Sequence, residues 1–268
     1  MSRIADQEYL LNKQYRNSSN LQARIDLHAR FSTNTYGWFR WIFDRLQLPS
    51  QARVLELGCG PGLLWRENLS RIPAGWDITL SDFSPGMLQQ ARDNLRDAGR
   101  PFTFTLVDAQ DIPFADDSFD AVIANHMLYH VPDRPRAFAE IRRVLQPNGR
   151  LYAATNGEAH LQELEALLPE SRFDFSHNTF GLENGRAQLA PWFPTITLHR
   201  FDDALVVPEA DPLIAYLLSM RAASDLDDAE RAAIAERVER ELAAQGVIRI
   251  TKDSGLFEAW AETLDTFA

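Results

Sequence analysis

The sequence predicts an α/β protein built on a doubly wound, mostly parallel sheet of seven strands, with a helical arm before the sheet and a helical insertion late in the chain. Three observations lead to this prediction. From Arg53 onward, short apolar runs alternate with amphipathic stretches, which is typical of a parallel sheet covered by helices on both faces. The first apolar run ends in a cluster of glycines. The composition is globular, with 45% hydrophobic and 24% charged residues.

The strands are predicted from short apolar runs that turn signals interrupt. Five of them fall in the first part of the chain, at 53–57, 77–81, 102–107, 119–124 and 150–154. Two later runs, at 195–206 and 247–252, complete the sheet.

The helices are predicted from amphipathic spacing and from their start and stop signals. One covers 84–97 and begins at Ser84 and Pro85, which suit a helix cap and first turn. Another covers 134–146 and stops at the turn signal Pro147-Asn148-Gly149. Residues 1–48 form the predicted arm, which carries the aromatic stretch YGWFRWIF before the first strand. Residues 208–245 form the predicted insertion of two or three helices.

Charge and cysteine content exclude several classes of protein. The net charge of −11 disfavours a nucleic-acid partner, because binding a phosphate backbone needs a basic face. The single cysteine, Cys59, can form no internal disulfide, so a reducing, cytoplasmic setting is expected. No apolar window is long enough for a membrane span, and no signal peptide is recognisable. We therefore expect a small-molecule partner.

The glycine cluster VLELGCGPG places Gly58, Gly60 and Gly62 where the chain leaves its first strand. Glycines allow a tight turn there and let a ligand approach the backbone amides. The cluster is not a dinucleotide fingerprint, because position 63 is leucine. It is not a phosphate-binding loop either, because no Gly-Lys-Ser/Thr follows.

Acidic residues follow the next two strands. Asp82 comes directly after the second strand, where its carboxylate can accept hydrogen bonds from the two hydroxyls of a ribose; it could equally cap the helix near Ser84. Asp108 ends the third strand and is followed by Ala109 and Gln110. This position suits hydrogen bonding to the amine and a ring nitrogen of adenine. Because ligands of doubly wound sheets lie at the carboxyl ends of the strands, these residues are expected to line one site.

In these segments the sequence resembles the class I methyltransferases that use S-adenosylmethionine, specifically the small-molecule branch that includes the ubiquinone/menaquinone-biosynthesis methyltransferases. The resemblance spans residues 53–156 and is carried by VLELGCGPG, SDFSPGMLQQAR, VDAQDIPFADDSFDAVIANHMLYHV and IRRVLQPNGRLYAAT. GVIRITKDSGLFEAW is similar to the final antiparallel strand pair of that Rossmann-like fold. The resemblance implies an arm or lid at 1–48 and an S-adenosylmethionine-binding domain at 49–268.

The resemblance also implies roles for individual residues. The methionine part of the cofactor would lie among Glu56, Gly58 and Gly60, with the backbone carbonyl of Asn125 beside its amine. Asp82 would hold the ribose. The adenine would contact Phe83, Met87, Asp108, Ala109 and Gln110. Cys59 belongs to this loop as a small residue in a tight turn. Tyr15, in the polar run NKQYRNSSN, would join the site if the arm closes over the cofactor.

Two histidines are candidates for acceptor chemistry. His126 and His130 follow the fourth strand and would share a face if this segment were helical. A base is needed only if the methyl acceptor must lose a proton, and His130 is the first choice for that role. No third ligand is spaced to complete a metal site with the pair, so no metal is expected. His130 as a packed interior histidine is the alternative.

The predicted function is methyl transfer from S-adenosylmethionine to a small organic acceptor, at an oxygen, carbon or nitrogen atom. Two alternatives remain open: a non-catalytic, regulatory module that binds the same cofactor, and a methyltransferase acting on RNA or protein. The aromatic stretch of the arm either packs the arm on the sheet or contacts an apolar acceptor.

Overall fold

The computed structural model describes residues 19–168, 179–220 and 226–261. Its seven strands form a single sheet. In chain order they are β1 Gln51–Leu57, β2 Gly75–Asp82, β3 Thr103–Leu106, β4 Phe119–Asn125, β5 Leu145–Asn156, β6 Thr195–Val207 and β7 Ile248–Trp260. The order across the sheet is β3-β2-β1-β4-β5-β7-β6. The first five strands pair in parallel, and β7 runs antiparallel to both β5 and β6. The predicted fold class is therefore confirmed.

The helices that the structure describes cover both faces and one end of the sheet. In chain order they are α1 Ser19–Phe31, α2 Trp38–Phe43, α3 Leu63–Arg66, α4 Pro85–Asn94, α5 Arg134–Val144, α6 Gly185–Leu189, α7 Ala210–Ser219 and α8 Asp228–Gln245. Short 3-10 turns lie at Leu69–Arg71, Leu128–His130 and Gln162–Leu167.

Two apolar clusters pack on the two faces of the sheet. On one face, Phe138 and Ile141 of α5 pack against the central strands. On the other, Ile42 and Phe43 of α2 and Leu88 of α4 are buried against β1 and β2. The central strands are buried on both sides, because helices lie over both faces, and they consequently read as continuous apolar runs.

A third cluster joins the arm to the insertion. Leu27 of α1 is buried among Leu213 and Leu217 of α7, Ile234 of α8 and Leu205 of β6. The arm and the insertion, predicted separately from the sequence, therefore pack together beyond the end of the sheet. Their shared core forms a wall beside the carboxyl ends of the parallel strands.

Two predicted strand boundaries were wrong. The run Pro147-Asn148-Gly149 lies inside β5, which begins directly after α5 at Leu145 and pairs irregularly with β4 between Phe119 and Ala121. The second late strand extends to Trp260 rather than ending at 252, because it pairs with β6 along its whole length and with β5 along its second half. Turn residues such as Pro147-Asn148-Gly149 are local signals and do not indicate these long-range strand pairings.

The arm is tied to the sheet through Asp203 of β6. Its buried carboxylate accepts a hydrogen bond from the Asn34 N–H at 2.9 Å and also contacts Ser32 Oγ and the ammonium of Lys252 on β7. Only 10% of the Lys252 side chain is exposed. Asp203 is thus the partner of a nearly buried cation and the anchor of the segment that follows α1.

Asp203→Ala is therefore expected to lower the free energy of unfolding by about 2–3 kcal/mol, because it leaves Lys252 and several hydrogen-bond donors without their partner. Urea denaturation measures the change. The matched control is Asp202→Ala, since Asp202 is the exposed neighbour on the same strand. Equal stability of the two variants would contradict the anchoring role.

Candidate functional site

A cavity of about 1100 Å³ opens at the carboxyl ends of the parallel strands. Its walls come from the loops after β1, β2, β3, β4 and β5, and from α1, α2, α7 and β7. Its volume slightly exceeds the usual range for small-molecule pockets, roughly 300–1,000 Å³. The position is the one at which a doubly wound sheet binds its ligand.

The glycine loop forms the floor of this cavity. Gly58, Gly60 and Gly62 have φ angles of 66°, 52° and 73°, in the left-handed region that favours glycine. A Cβ atom on Gly58 would lie 2.7 Å from the Cβ of Met127, whereas one on Gly60 would meet no atom within 4 Å. The backbone at Gly60 therefore faces open space. Cys59, between them, is buried, and this burial raises the pKa of its thiol well above the ordinary value.

Asp82 holds this loop in place. Its Oδ2 accepts a hydrogen bond from the Gly60 N–H at 2.9 Å, and its Oδ1 accepts one from the Ser84 N–H at 2.8 Å. The cap of α4 is Ser84, whose hydroxyl accepts from the Met87 N–H, so the capping alternative for Asp82 is not needed. A carboxylate has about four acceptor positions, and Asp82 keeps acceptor capacity toward the cavity that it lines.

Glu56 and Asn125 form a second polar group on the cavity wall. Glu56 is buried, and its carboxylate accepts from Trp65 Nε1 at 2.6 Å and from Asn125 Nδ2 at 3.2 Å. Burial raises the pKa of Glu56 to about 8. Asn125 Oδ1 is buried and has no hydrogen-bond partner among the described residues. Asn125 Oδ1 therefore lacks a donor beside the Glu56 carboxylate, and a positively charged nitrogen bound here could donate to it and pair with Glu56.

Polar and apolar residues that follow β2 and β3 form another part of the cavity wall. Asp108 and Ala109 line the cavity together with Phe83 and Met87. Gln110 does not line it: its N–H and its side-chain Nε2 both donate to Asp108, at 2.9 and 3.0 Å. Gln110 thus orients the Asp108 carboxylate, and its expected contact with a ligand stays a prediction.

The two histidines after β4 both line the cavity, but the segment is not an α-helix, so the condition for a shared helix face is not met. His126 has a φ of 51°, and only a short 3-10 turn, Leu128–His130, follows it. The His126 ring packs on Trp38 with a centroid distance of 5.1 Å, and burial lowers the pKa of His126 to about 4. The His130 ring meets the edge of Tyr129 at 4.5 Å.

Trp38, from the aromatic stretch of the arm, both packs on other aromatic side chains and lines the cavity. Its ring packs against Trp41 and Phe201, each with a centroid distance of 5.2 Å, and it also lines the cavity. Its Nε1 is buried without a hydrogen-bond partner in the described part of the chain. Tyr15, the other aromatic singled out in the arm, lies outside the described residues.

Sequence reasoning missed several residues on the arm side of the cavity. They come from segments far apart in the chain: His28, His160, Tyr216, Lys252 and Ser254. The position of His160 could have indicated a site residue, because His160 lies four residues beyond the end of β5. Ligands of doubly wound sheets lie at the carboxyl ends of the parallel strands, which is the reasoning that predicted Asp82 and Asp108. For the others, only the antiparallel return of β7 and the packing of α1 on α7 place them here.

Within the described ranges, no group of three or more histidine, cysteine, aspartate or glutamate side chains is arranged to hold a metal ion. In those same ranges, no helix combines the length and the apolar character that crossing a bilayer requires.

Comparison with known proteins agrees with this geometry. Residues 55–153 match the protein family described as "Methyltransferase domain". The malonyl-[acyl-carrier protein] O-methyltransferase of Geobacter sulfurreducens is 35% identical over 148 residues, which are 52% of this chain and 54% of that protein. The ubiquinone/menaquinone biosynthesis C-methyltransferase of Bordetella avium is 33% identical over 114 residues, 42% of this chain and 44% of that protein. The chain spans about half the length of these relatives.

A solved structure extends the likeness to nearly the whole chain. Phosphoethanolamine N-methyltransferase 2 of Haemonchus contortus, in complex with phosphomonomethylethanolamine and S-adenosylhomocysteine, superposes with a TM-score of 0.61 at 19% identity. The match covers 98% of this chain and 61% of that one. At this identity the likeness shows the fold. Residues 55–153 therefore match a methyltransferase domain, in a chain that is similar over about half its length to C-methyltransferases of ubiquinone and menaquinone biosynthesis.

Proposed function

We propose that this protein transfers the methyl group of S-adenosylmethionine to a small organic acceptor. The observation that carries the proposal is the pairing of Asp82 with the Gly60 amide, which sets a carboxylate beside an open glycine backbone at the carboxyl end of β1 and β2. A ribose over this loop finds acceptors for both hydroxyls. S-adenosylmethionine itself supplies an activated methyl group.

The residues of the cavity fit the other parts of this cofactor. Glu56 and the partnerless Asn125 Oδ1 suit the amino group of its methionine part. Asn125 thus offers its side-chain oxygen, in addition to the backbone carbonyl that the family resemblance implied. Phe83 and Met87 offer apolar surface to adenine, and Asp108 and Ala109 offer polar groups for its edge.

The chain's own residues would mainly align the acceptor and exclude water, since the methyl donor arrives activated. We propose residues 1–48 as a lid and residues 49–268 as the domain that binds the cofactor. His130 is proposed as the acceptor-side base or orienting group. His126 is the weaker candidate, because a pKa of about 4 makes its imidazole a poor proton acceptor.

The test is a panel of small acceptors that carry hydroxyl, enol, amine or carbon-acid groups, incubated with the protein and S-adenosylmethionine. We expect release of S-adenosylhomocysteine together with a product heavier by one methylene group. Tight cofactor binding without turnover on a broad panel would instead favour the non-catalytic binding module. Turnover only on RNA or on a protein would favour the third alternative.

A second prediction concerns Glu56. At pH 6.5 this carboxyl is protonated in the free protein, because its pKa is about 8. An ammonium bound beside it favours the ionised form, so binding of S-adenosylhomocysteine should release a proton. Affinity should therefore rise with pH, by up to about tenfold per unit between about pH 6 and about pH 7.5, and level off near pH 8.

Calorimetry in buffers of different ionisation enthalpy measures the released proton directly. Glu56→Gln should abolish both the proton release and the pH slope. Glu239→Gln, which changes an exposed glutamate of α8, should keep them. If the affinity of Glu56→Gln for S-adenosylhomocysteine still rises with pH, the titrating group is a residue other than Glu56.

The cellular location and the absence of a nucleic-acid partner stay predictions. A cytoplasmic location is proposed on the single cysteine, and the absence of a nucleic-acid partner on the net charge of −11.

A further inference from the structure

His160 is a cavity-lining histidine to which the proposed reaction assigns no role. It follows β5, whose last residue, Asn156, pairs across the sheet with Ser254 of β7. The loop between Asn156 and His160 closes on itself through a hydrogen bond from the His160 N–H to the Gly157 carbonyl at 3.2 Å. The ring therefore lies beside the two residues that end this strand pair.

The hydrogen bonds of these three residues determine which ring nitrogen carries the proton. Ser254 Oγ donates its proton to Asn156 Oδ1 at 2.8 Å. A hydroxyl has a single proton, so toward His160 Nδ1, 3.4 Å away, Ser254 can only accept. Nδ1 consequently carries the imidazole proton, and Nε2 is left as an unprotonated acceptor. Among the described residues, His160 makes its side-chain hydrogen bond at Nδ1, and none is described at Nε2.

The surroundings keep this imidazole neutral. Burial lowers the pKa of His160 well below its ordinary value, and His28, His126 and Lys252 lower it further. These groups come from α1, from the loop after β4 and from β7. A neutral imidazole that resists protonation is a poor base but a good hydrogen-bond acceptor.

Two cations on this side of the cavity are already paired with carboxylates. The ammonium of Lys252 contacts Asp203, and Arg30, at the arm side of the cavity, forms a salt bridge with Glu209 at 2.7 Å. Trp38, Tyr129 and Tyr216 add aromatic surface to the same region. A charged acceptor would need a counter-charge of its own here, whereas a neutral acceptor with an aromatic or apolar body would not.

We propose that His160, oriented by Ser254 and Asn156, determines acceptor specificity by accepting a hydrogen bond at Nε2 from the O–H group of a neutral hydroxyl-bearing acceptor. This inference rests on the proposed methyl transfer and adds the class of substrate. Ser254 and Asn156 are positioning residues. The role differs from that of His130, because no proton is transferred to His160.

The first test is the tautomer, which is read in the free protein by nitrogen-15 NMR of labelled histidines. The His160 resonances are assigned by their loss in His160→Gln. We expect a protonated Nδ1 and an unprotonated Nε2 in the wild type, and a mixture of both tautomers in Ser254→Ala. Ser118→Ala, directly before β4 at the amino ends of the parallel strands, should leave the His160 resonances unchanged. A wild-type His160 that is protonated at Nε2 would overturn the proposal.

The second test uses phenol and anisole, which share a ring but differ in the O–H group, added to the protein with S-adenosylhomocysteine. We expect phenol to shift the Nε2 resonance and to bind about tenfold more tightly than anisole, a difference lost in His160→Leu. An equal response to the two probes, or a response to neither, would overturn the proposal. Failure of S-adenosylhomocysteine to bind the wild type would instead refute the proposed function, and the tautomer measurement does not depend on that result.

Discussion

His130→Asn is expected to slow methyl transfer by about 10²–10⁴-fold while the melting temperature and the affinity for S-adenosylhomocysteine stay unchanged. The ring of His130 lines the cavity in the loop after β4, the strand that also carries Asn125. A base in this position takes the proton of a phenol or carbon-acid acceptor near neutral pH. Asparagine keeps a polar side chain of similar size but cannot take up that proton.

Two further variants make the comparison informative. His199→Asn changes a histidine of β6 that contacts Glu258 at 3.2 Å, away from the cavity, and should leave turnover unchanged. His126→Asn should reduce turnover less than His130→Asn, through loss of the packing on Trp38. If His130→Asn lowers the melting temperature but retains near-normal turnover, His130 is an interior packing residue.

Asp82→Ala is expected to weaken binding of S-adenosylhomocysteine by about 2–4 kcal/mol, which corresponds to roughly 30–1,000-fold in affinity. Two effects combine in this variant. The ribose loses its acceptor, and the amides of Gly60 and Ser84 lose the carboxylate that orders the glycine loop. Asp82→Asn should lie between the wild type and alanine, because the amide keeps one oxygen acceptor.

Calorimetric titration with S-adenosylhomocysteine measures the affinities. Asp77→Ala provides the control, because Asp77 is an exposed aspartate on the same strand. Unchanged binding by Asp82→Ala would remove Asp82 from the site and with it the main support for the proposed cofactor.

We propose the glycine-loop half of the cavity for the cofactor, and its lining residues could be predicted from the sequence for a topological reason. Asp82 and Asn125 end parallel strands, Gly58 and Asp108 lie just beyond them, and the carboxyl ends of parallel strands meet at one edge of the sheet. Finding the strands therefore suffices to bring these residues together. Gln110 shows the limit of this reasoning, because position along the chain does not reveal whether a side chain faces the ligand or supports its neighbour.

By itself, the sequence determined the fold class, the parallel strands and the residues at their ends, because alternating apolar runs and glycine turns are local signals. Only the tertiary structure decided the arm side of the cavity, which we propose for the acceptor. His28, His160 and Lys252 are more than 90 residues apart, and they meet because α1 packs on α7 and β7 returns antiparallel beside β5. These contacts depend on complementary apolar surfaces and on strand register, which no local pattern encodes. The tautomer of His160 depends on them as well, since Ser254 comes within reach of its ring only through that register.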